Sequence, residues 1–349
     1  MTIARTDPAQ RADRREYLSS RRDELRAALD TVFPRVVDVE TRPSPYASSF
    51  AIEEATVRFD DGSSLELVCK DTGEAAMLPE AQRIRPRFLY DPHREIAAYE
   101  RILAPLDLGA PRFFGSAIDE RRGRYWMFLE RVRGVPLTEV GDFGTWQQVS
   151  GWLASMHARV RRDPRLARAA AGVGLVQYDR AQSRVWMERA QWYLHSDETR
   201  PRPARLRFAS LLVPYERILD EIAALPAGFV HGEFFASNVL VATVAGEVRV
   251  RPVDWEVAGM GPMLMDLAAL TAGRWTEGER FDLAIGYRAA ASEEGEPLQP
   301  LGAFMRGLDC CRLQLAVQRL GWARQWTPPA TQSQDWLGEA LHVADRLGL

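Results

Sequence analysis

The feature that most constrains this chain is a change of hydrophobic rhythm near residue 130. Upstream, apolar residues fall in short runs at Val36 to Glu40, Ser49 to Phe59 and Ser64 to Lys70, which read as strands. The tetrad Asp60-Asp61-Gly62-Ser63 between the last two is a hairpin signal. Asp91 to Leu103 reads as a helix, with Ile96, Tyr99 and Leu103 apolar and Pro92 in its first turn. Strands are expected at Pro111 to Ile118 and Arg124 to Leu129. Downstream the spacing turns helical, at Thr145 to Arg159, Gln182 to Tyr193, Tyr215 to Ala224 and from Met263 onward. Two β runs interrupt it, Val239 to Val244 and Val248 to Val253, around the Gly246 turn.

A chain of 349 residues exceeds the usual size of one core, so two lobes are expected. The reading is an α+β chain: a helical N-terminal extension over residues 1–33, a small antiparallel-β lobe with one helix over 34–130, and a larger mainly helical lobe over 131–349. Arg11 to Phe33 would dock by the stripe Leu18, Leu25, Leu29 and Val32. The boundary falls at the composition shift in Leu129 to Gly134.

A net charge of −3 gives no positive field for nucleic acid or anionic membrane. No run approaches the roughly 18–20 apolar residues of a membrane helix, and the first twenty residues lack the apolar core of a secretory signal. Three cysteines, Cys69, Cys310 and Cys311, form no disulfide framework and fit a reducing compartment as packing residues. A cytoplasmic protein without nucleic-acid or membrane partner is expected. Of 45 basic residues 44 are arginine, and the single lysine is Lys70. A compact ammonium fits a tight site where the planar guanidinium fork does not.

The block from Phe229 to Leu267 carries the chemistry: His231-Gly232-Glu233, Asn238, Asp254-Trp255-Glu256, Gly261-Pro262 and Asp266-Leu267. Phosphoryl transfer needs a carboxylate to orient or deprotonate the incoming hydroxyl, oxygen ligands for Mg²⁺, and a cation on the phosphates. Because Mg²⁺ is held by only one or two carboxylates plus phosphates and waters, few protein ligands suffice. Gly-x-x-x-x-Gly-Lys-Ser/Thr, His-Glu-x-x-His and Gly-x-Ser-x-Gly are all absent.

The segment HGEFFASNVLV resembles the catalytic loop of the aminoglycoside phosphotransferase and choline kinase family, and VDWEVAGMGPMLMDLAAL resembles its metal-binding segment. The resemblance spans roughly residues 36 to 270 and implies a bilobal protein-kinase-like fold, ATP and Mg²⁺ as cofactors, and a small hydroxylated acceptor. It implies Glu233 as base and Asn238 and Asp254 as Mg²⁺ ligands. Lys70, on the third strand, would hold the α- and β-phosphates. Glu95 would be its ion-pair partner, with Glu100 the alternative. His231, Asp266 and His157 would be architectural, and Glu130 and Val132 would meet adenine through their backbone.

The chain departs from the family in two places. Glu233 stands where the family has Asp, extending the carboxylate by about 1.5 Å, and a shift near 1 Å at a reacting group costs on the order of a hundredfold in rate. The nucleotide loop, RPSPYASSF, has no glycine; either Ser44, Ser48 and Ser49 supply hydroxyls and amides instead, or the segment is an ordinary polar turn. Aromatic candidates for the acceptor's walls are Tyr178, Trp186, Trp192, Tyr193, Trp275, Trp322, Trp326 and Trp336, with helical core the competing reading for them. The expected activity is therefore γ-phosphate transfer from ATP to a hydroxyl. The alternative is a nucleotide-binding pseudokinase or regulatory module without turnover.

Overall fold

The structure, a computed structural model, describes residues 22–44, 49–322 and 334–349. Leu18, Ser48 and Trp326 lie outside these. The chain forms two compact units, the first built from residues up to Ala81 and from Arg112–Arg131, the second from Gln82–Pro111 and Val132–Leu349. The fold is α+β, with an antiparallel sheet early in the chain and helices dominating after it. Residues 82–111, which the sequence reading placed with the β-rich lobe, cluster with the helical unit.

In the first unit, a helix over residues 22–32 (α1) covers a sheet of β1 (Val36–Pro43), β2 (Ile52–Phe59), β3 (Ser64–Asp71), β4 (Phe113–Asp119) and β5 (Arg124–Glu130). The strands are antiparallel in the order β1-β2-β3-β5-β4. Period-two alternation sends Ala55, Val57, Leu67, Cys69, Trp126 and Phe128 to one face, where Leu25 and Leu29 of α1 close the core. The described part of the N-terminal extension is thus integral to this unit's core. The expected hairpin forms at residues 60–63. Asp61 Oδ1 accepts from Ser63 N at 2.9 Å, and Gly62 takes the positive φ of 80° the turn requires.

The second unit begins within α2 (Pro79–Ile84), and its next helix, α3 (Arg94–Ala98), runs into a π turn at Tyr99–Leu103. A first small sheet joins β6 (Val135–Pro136) to β9 (Val239–Val244) and β10 (Glu247–Pro252); a second joins β7 (Val176–Gln177), β11 (Gly259–Pro262) and β8 (Ala227–Val230). The helices are α4 (Phe143–Arg162), α5 (Leu166–Ala170), α6 (Arg180–Ser196), α7 (Arg202–Ala209), α8 (Leu212–Ala223), α9 (Leu264–Leu270), α10 (Glu277–Glu293), α11 (Leu301–Trp322) and α12 (Trp336–Leu347). Their starts follow capping chemistry: Asp142 and Asp179 cap α4 and α6, and Thr276 with Glu279 forms a capping box on α10. Trp186, Phe208, Tyr215, Leu219, Leu313, Val317 and Val343 centre the apolar core. The three cysteines are free and buried. Among the described residues no helix is long and apolar enough to cross a membrane.

Candidate active site

Strand β8 ends at Val230, and the chain then turns through His231-Gly232-Glu233. Asp266, in the first turn of α9 and fully buried, accepts from the backbone N–H of His231 at 2.7 Å and of Gly232 at 2.9 Å. His157 of α4 brings Nε2 to 3.2 Å from the same carboxylate, and its Nδ1 lies 2.9 Å from the hydroxyl of Tyr287 on α10. One carboxylate thus ties three helices to the loop. Gly232 has φ 85°, and a Cβ there would stand 2.1 Å from Tyr178 Oη and 2.6 Å from Val257 O. Only glycine fits. Tyr178, an acceptor-wall candidate from sequence, is instead buried beneath this loop and donates to Val257 O at 2.7 Å.

The imidazole of His231 is fully buried between two partners: Nδ1 accepts from Glu233 N at 3.3 Å, and Nε2 donates to Val253 O at 2.9 Å. Those two bonds fit one neutral tautomer, and burial holds the ring below its ordinary pKa despite the opposing field of Asp266. Asn238 ends a 3-10 turn. Its Nδ2 donates to Glu233 O at 3.0 Å, and its own carbonyl accepts from Val253 N at 2.9 Å. The catalytic-loop candidates and the Asp254 segment are therefore stitched together by backbone and side-chain bonds.

Asp254 follows with φ 67°, a left-handed conformation uncommon outside glycine. Such strain is held only where the surroundings over-determine it. Here Trp255 is fully buried, stacked on Phe229 at 5.6 Å, and its N–H donates to Glu95 Oε1 at 3.1 Å. Glu95, Asp254 and Glu256 bring carboxylate oxygens within 4.8 Å of one another. Of the two carboxylates left open by the sequence, Glu95 is buried and Glu100 exposed. Hard oxygen donors at this spacing suit Mg²⁺. Arg85 pairs with Glu256 at 3.0 Å, both nearly buried, and Arg94 donates to Glu256 O, Leu89 O and Gly174 O.

Glu233 extends into partial burial and meets Arg319, on the last turn of α11, at 3.3 Å. The guanidinium also lies 4.1 Å over the ring of Phe235. Burial raises the Glu233 pKa; Arg319 and Arg85 oppose the shift, while Glu256 and Asp254 reinforce it. Burial likewise lowers that of Arg319. Sequence reasoning assigned no role to Glu256, Arg85 or Arg319. Glu256 sat within the quoted motif, but neither arginine carries a local signal among 44.

In the first unit, Lys70 lies on the central strand β3, nearly buried, with its ammonium 5.4 Å from the Phe50 ring centroid. Ser49 accepts through its carbonyl from Leu78 N, and Ser44 N donates to Ile52 O. Glu130 ends β5, where its Oε2 accepts from Arg112 N at 3.1 Å, and Val132 lies in the coil before β6. Trp186, Trp322 and Trp336 belong to the helical core rather than to a wall, Trp275 packs edge-on against Trp146, and Trp192 is exposed.

Comparison with known proteins adds to this geometry. Residues 52–304 match the model of a phosphotransferase enzyme family. The fold is similar to that of a microcompartment-associated aminopropanol kinase (TM-score 0.55, 15% identity, 91% of this chain and 92% of that one). It is similar also to choline kinase from Cryptosporidium parvum Iowa II (0.56, 11%, 88% of each). A third is wild-type aminoglycoside 2'-phosphotransferase-IIIa in its GDP complex (0.54, 13%, 93% and 97%). No curated protein sequence matches.

Proposed function

The chain belongs to the phosphotransferase enzyme family, and on that premise we propose that it moves the γ-phosphate of ATP to a hydroxyl of a small molecule with Mg²⁺ as the accompanying ion. The observation that carries this reading is the seating of the Glu233 loop against the Asp254 segment, through Val253 N to Asn238 O and His231 Nε2 to Val253 O. That seating supports a reading in which the Glu233 carboxylate takes a proton while Asn238 and Asp254 hold a cation.

Glu233 would accept the hydroxyl proton as the acceptor oxygen attacks the γ-phosphorus and ADP departs. Its raised pKa makes it a better proton acceptor than an exposed carboxylate. Asn238 and Asp254 would hold Mg²⁺, with Glu256 the next carboxylate to hand; when bound, the ion would neutralise charge on the phosphates. Lys70 would contact the phosphates, Glu95 would act from α3, and Ser48 and Ser49 would line the nucleotide loop. Glu130 and Val132 would meet the base, while His231 and Asp266 hold the frame.

The test is ADP release from Mg·ATP across a panel of amino alcohols, choline and aminoglycosides, with product mass to identify the transferred group. Acceptor-stimulated ADP release with a phosphorylated product supports the reading. A chain that neither binds Mg·ATP nor releases ADP overturns it. The ion pair of Glu233 with Arg319 favours a second reading, a regulatory nucleotide-binding module. That reading holds if Mg·ATP binds and no acceptor is turned over.

A further inference from the structure

Glu233 is held at its backbone from both sides. Its N–H donates to His231 Nδ1, and its carbonyl accepts from Asn238 Nδ2 at 3.0 Å and from Phe235 N at 2.7 Å. The Cα therefore has little freedom to retreat, and the extra methylene relative to aspartate must be absorbed by the side chain. That methylene adds one torsion with three staggered wells. An unrestrained carboxylate would visit several positions, and about 1 Å of misplacement is enough to cost on the order of a hundredfold in rate.

Only one cation is ion-paired with that tip among the described residues. Arg319 Nη2 stands 3.3 Å from Glu233 Oε1, and the same guanidinium stacks over Phe235, two residues further along the loop. Arg319 is itself rigidly mounted: its neighbours Ala316, Val317 and Leu320 on α11 are buried in the helical core. One side chain from a fixed helix thus touches both the carboxylate and the aromatic of the loop.

We propose that Arg319 is a positioning residue that selects the productive rotamer of Glu233 and so offsets the longer side chain. The inference rests on the phosphotransferase reading, and it adds a function to α11 that the loop motif does not contain.

The experiment uses the full chain and ADP release from Mg·ATP, with water and with the best acceptor of the panel. Arg319→Met keeps the packing on Phe235 and is expected to lower kcat roughly 10- to 100-fold with the KM for ATP unchanged. Arg319→Lys, which keeps the charge, is expected to recover part of the loss. In a Glu233→Asp background the shorter carboxylate no longer reaches Arg319, so adding Arg319→Met should cost less than about threefold. An Arg319→Met enzyme with wild-type kcat, an equal loss in both backgrounds, or an effect confined to acceptor KM overturns the proposal. A wild type that releases no ADP with any acceptor defeats the phosphotransferase reading instead. In that case crystal structures decide the pin: one Glu233 rotamer in the wild type and several in Arg319→Met supports it, and the same single rotamer in both overturns it.

Discussion

Asp266 and Glu233 are carboxylates of the same unit set about one loop, and their surroundings differ sharply. Asp266 is fully buried, takes two backbone N–H donors and faces the His157 ring. Glu233 meets one guanidinium at 3.3 Å, remains partly exposed, and feels the charges of Glu256, Asp254 and Arg85. A buried carboxylate holding three partners is a structural post, because moving it breaks several bonds at once. One with a single partner keeps lone pairs available for a substrate proton. The contrast separates what frames the loop from what the loop is for.

Asp266→Ala should produce the largest effect. It strands two buried N–H donors and the His157 ring, a loss of about 3–5 kcal/mol. Denaturant unfolding should show a lowered midpoint, and ADP release should vanish with it. A variant that unfolds like the wild type would show that Asp266 is no post. Glu233→Gln should reverse the pattern, lowering turnover at least about a hundredfold with the unfolding midpoint and Mg·ATP affinity little changed. Asp254→Ala should instead weaken the metal-dependent part of nucleotide binding, read as the difference in ATP affinity with and without Mg²⁺. Gly232→Ala comes next: the added Cβ meets Tyr178 Oη and Val257 O at a positive φ, costing about 2 kcal/mol. Tyr178→Phe added to it should relieve only part, since the carbonyl remains at 2.6 Å.

The same division explains what was legible in the sequence. Strands β3, β5, β9 and β10 lie within two residues of their expected bounds, because alternation and the turns at Gly62 and Gly246 are local signals. Strands β6, β7, β8 and β11 were not expected, being only two to four residues long, with glycine or proline in β6, β8 and β11, so that only distant pairing makes them strands. The helix expected over Asp91 to Leu103 is broken into α3 and a π turn. Among the candidate site residues, Glu233, Asn238, Asp254 and Asp266 could be singled out because they share one short block. Arg85 and Arg319 were not, since their partners lie far along the chain and arginine is the default cation of this sequence. The long-range ion pairs that tune the site leave no periodic or motif trace.

The smallest effect should come from protonating His231, and its sign follows from the tautomer. A proton on Nδ1 would face the Glu233 N–H that this nitrogen now accepts, so the folded state disfavours the imidazolium. The folded pKa thus lies below the unfolded value of about 6.5, and between the two the unfolded chain binds more protons. Stability from this group is fully present above about pH 6.5 and is lost as pH falls through that window, by up to about 1.4 kcal/mol per unit. The depressed carboxylates Asp61, Asp142 and Asp163 respond only at lower pH, below about 4. Urea midpoints at pH 7.5 and 5.5 should therefore fall in the wild type and converge in His231→Gln. An equal fall in both would place the pH sensitivity outside the loop, and would leave His231 as a spacer whose charge state the frame does not feel.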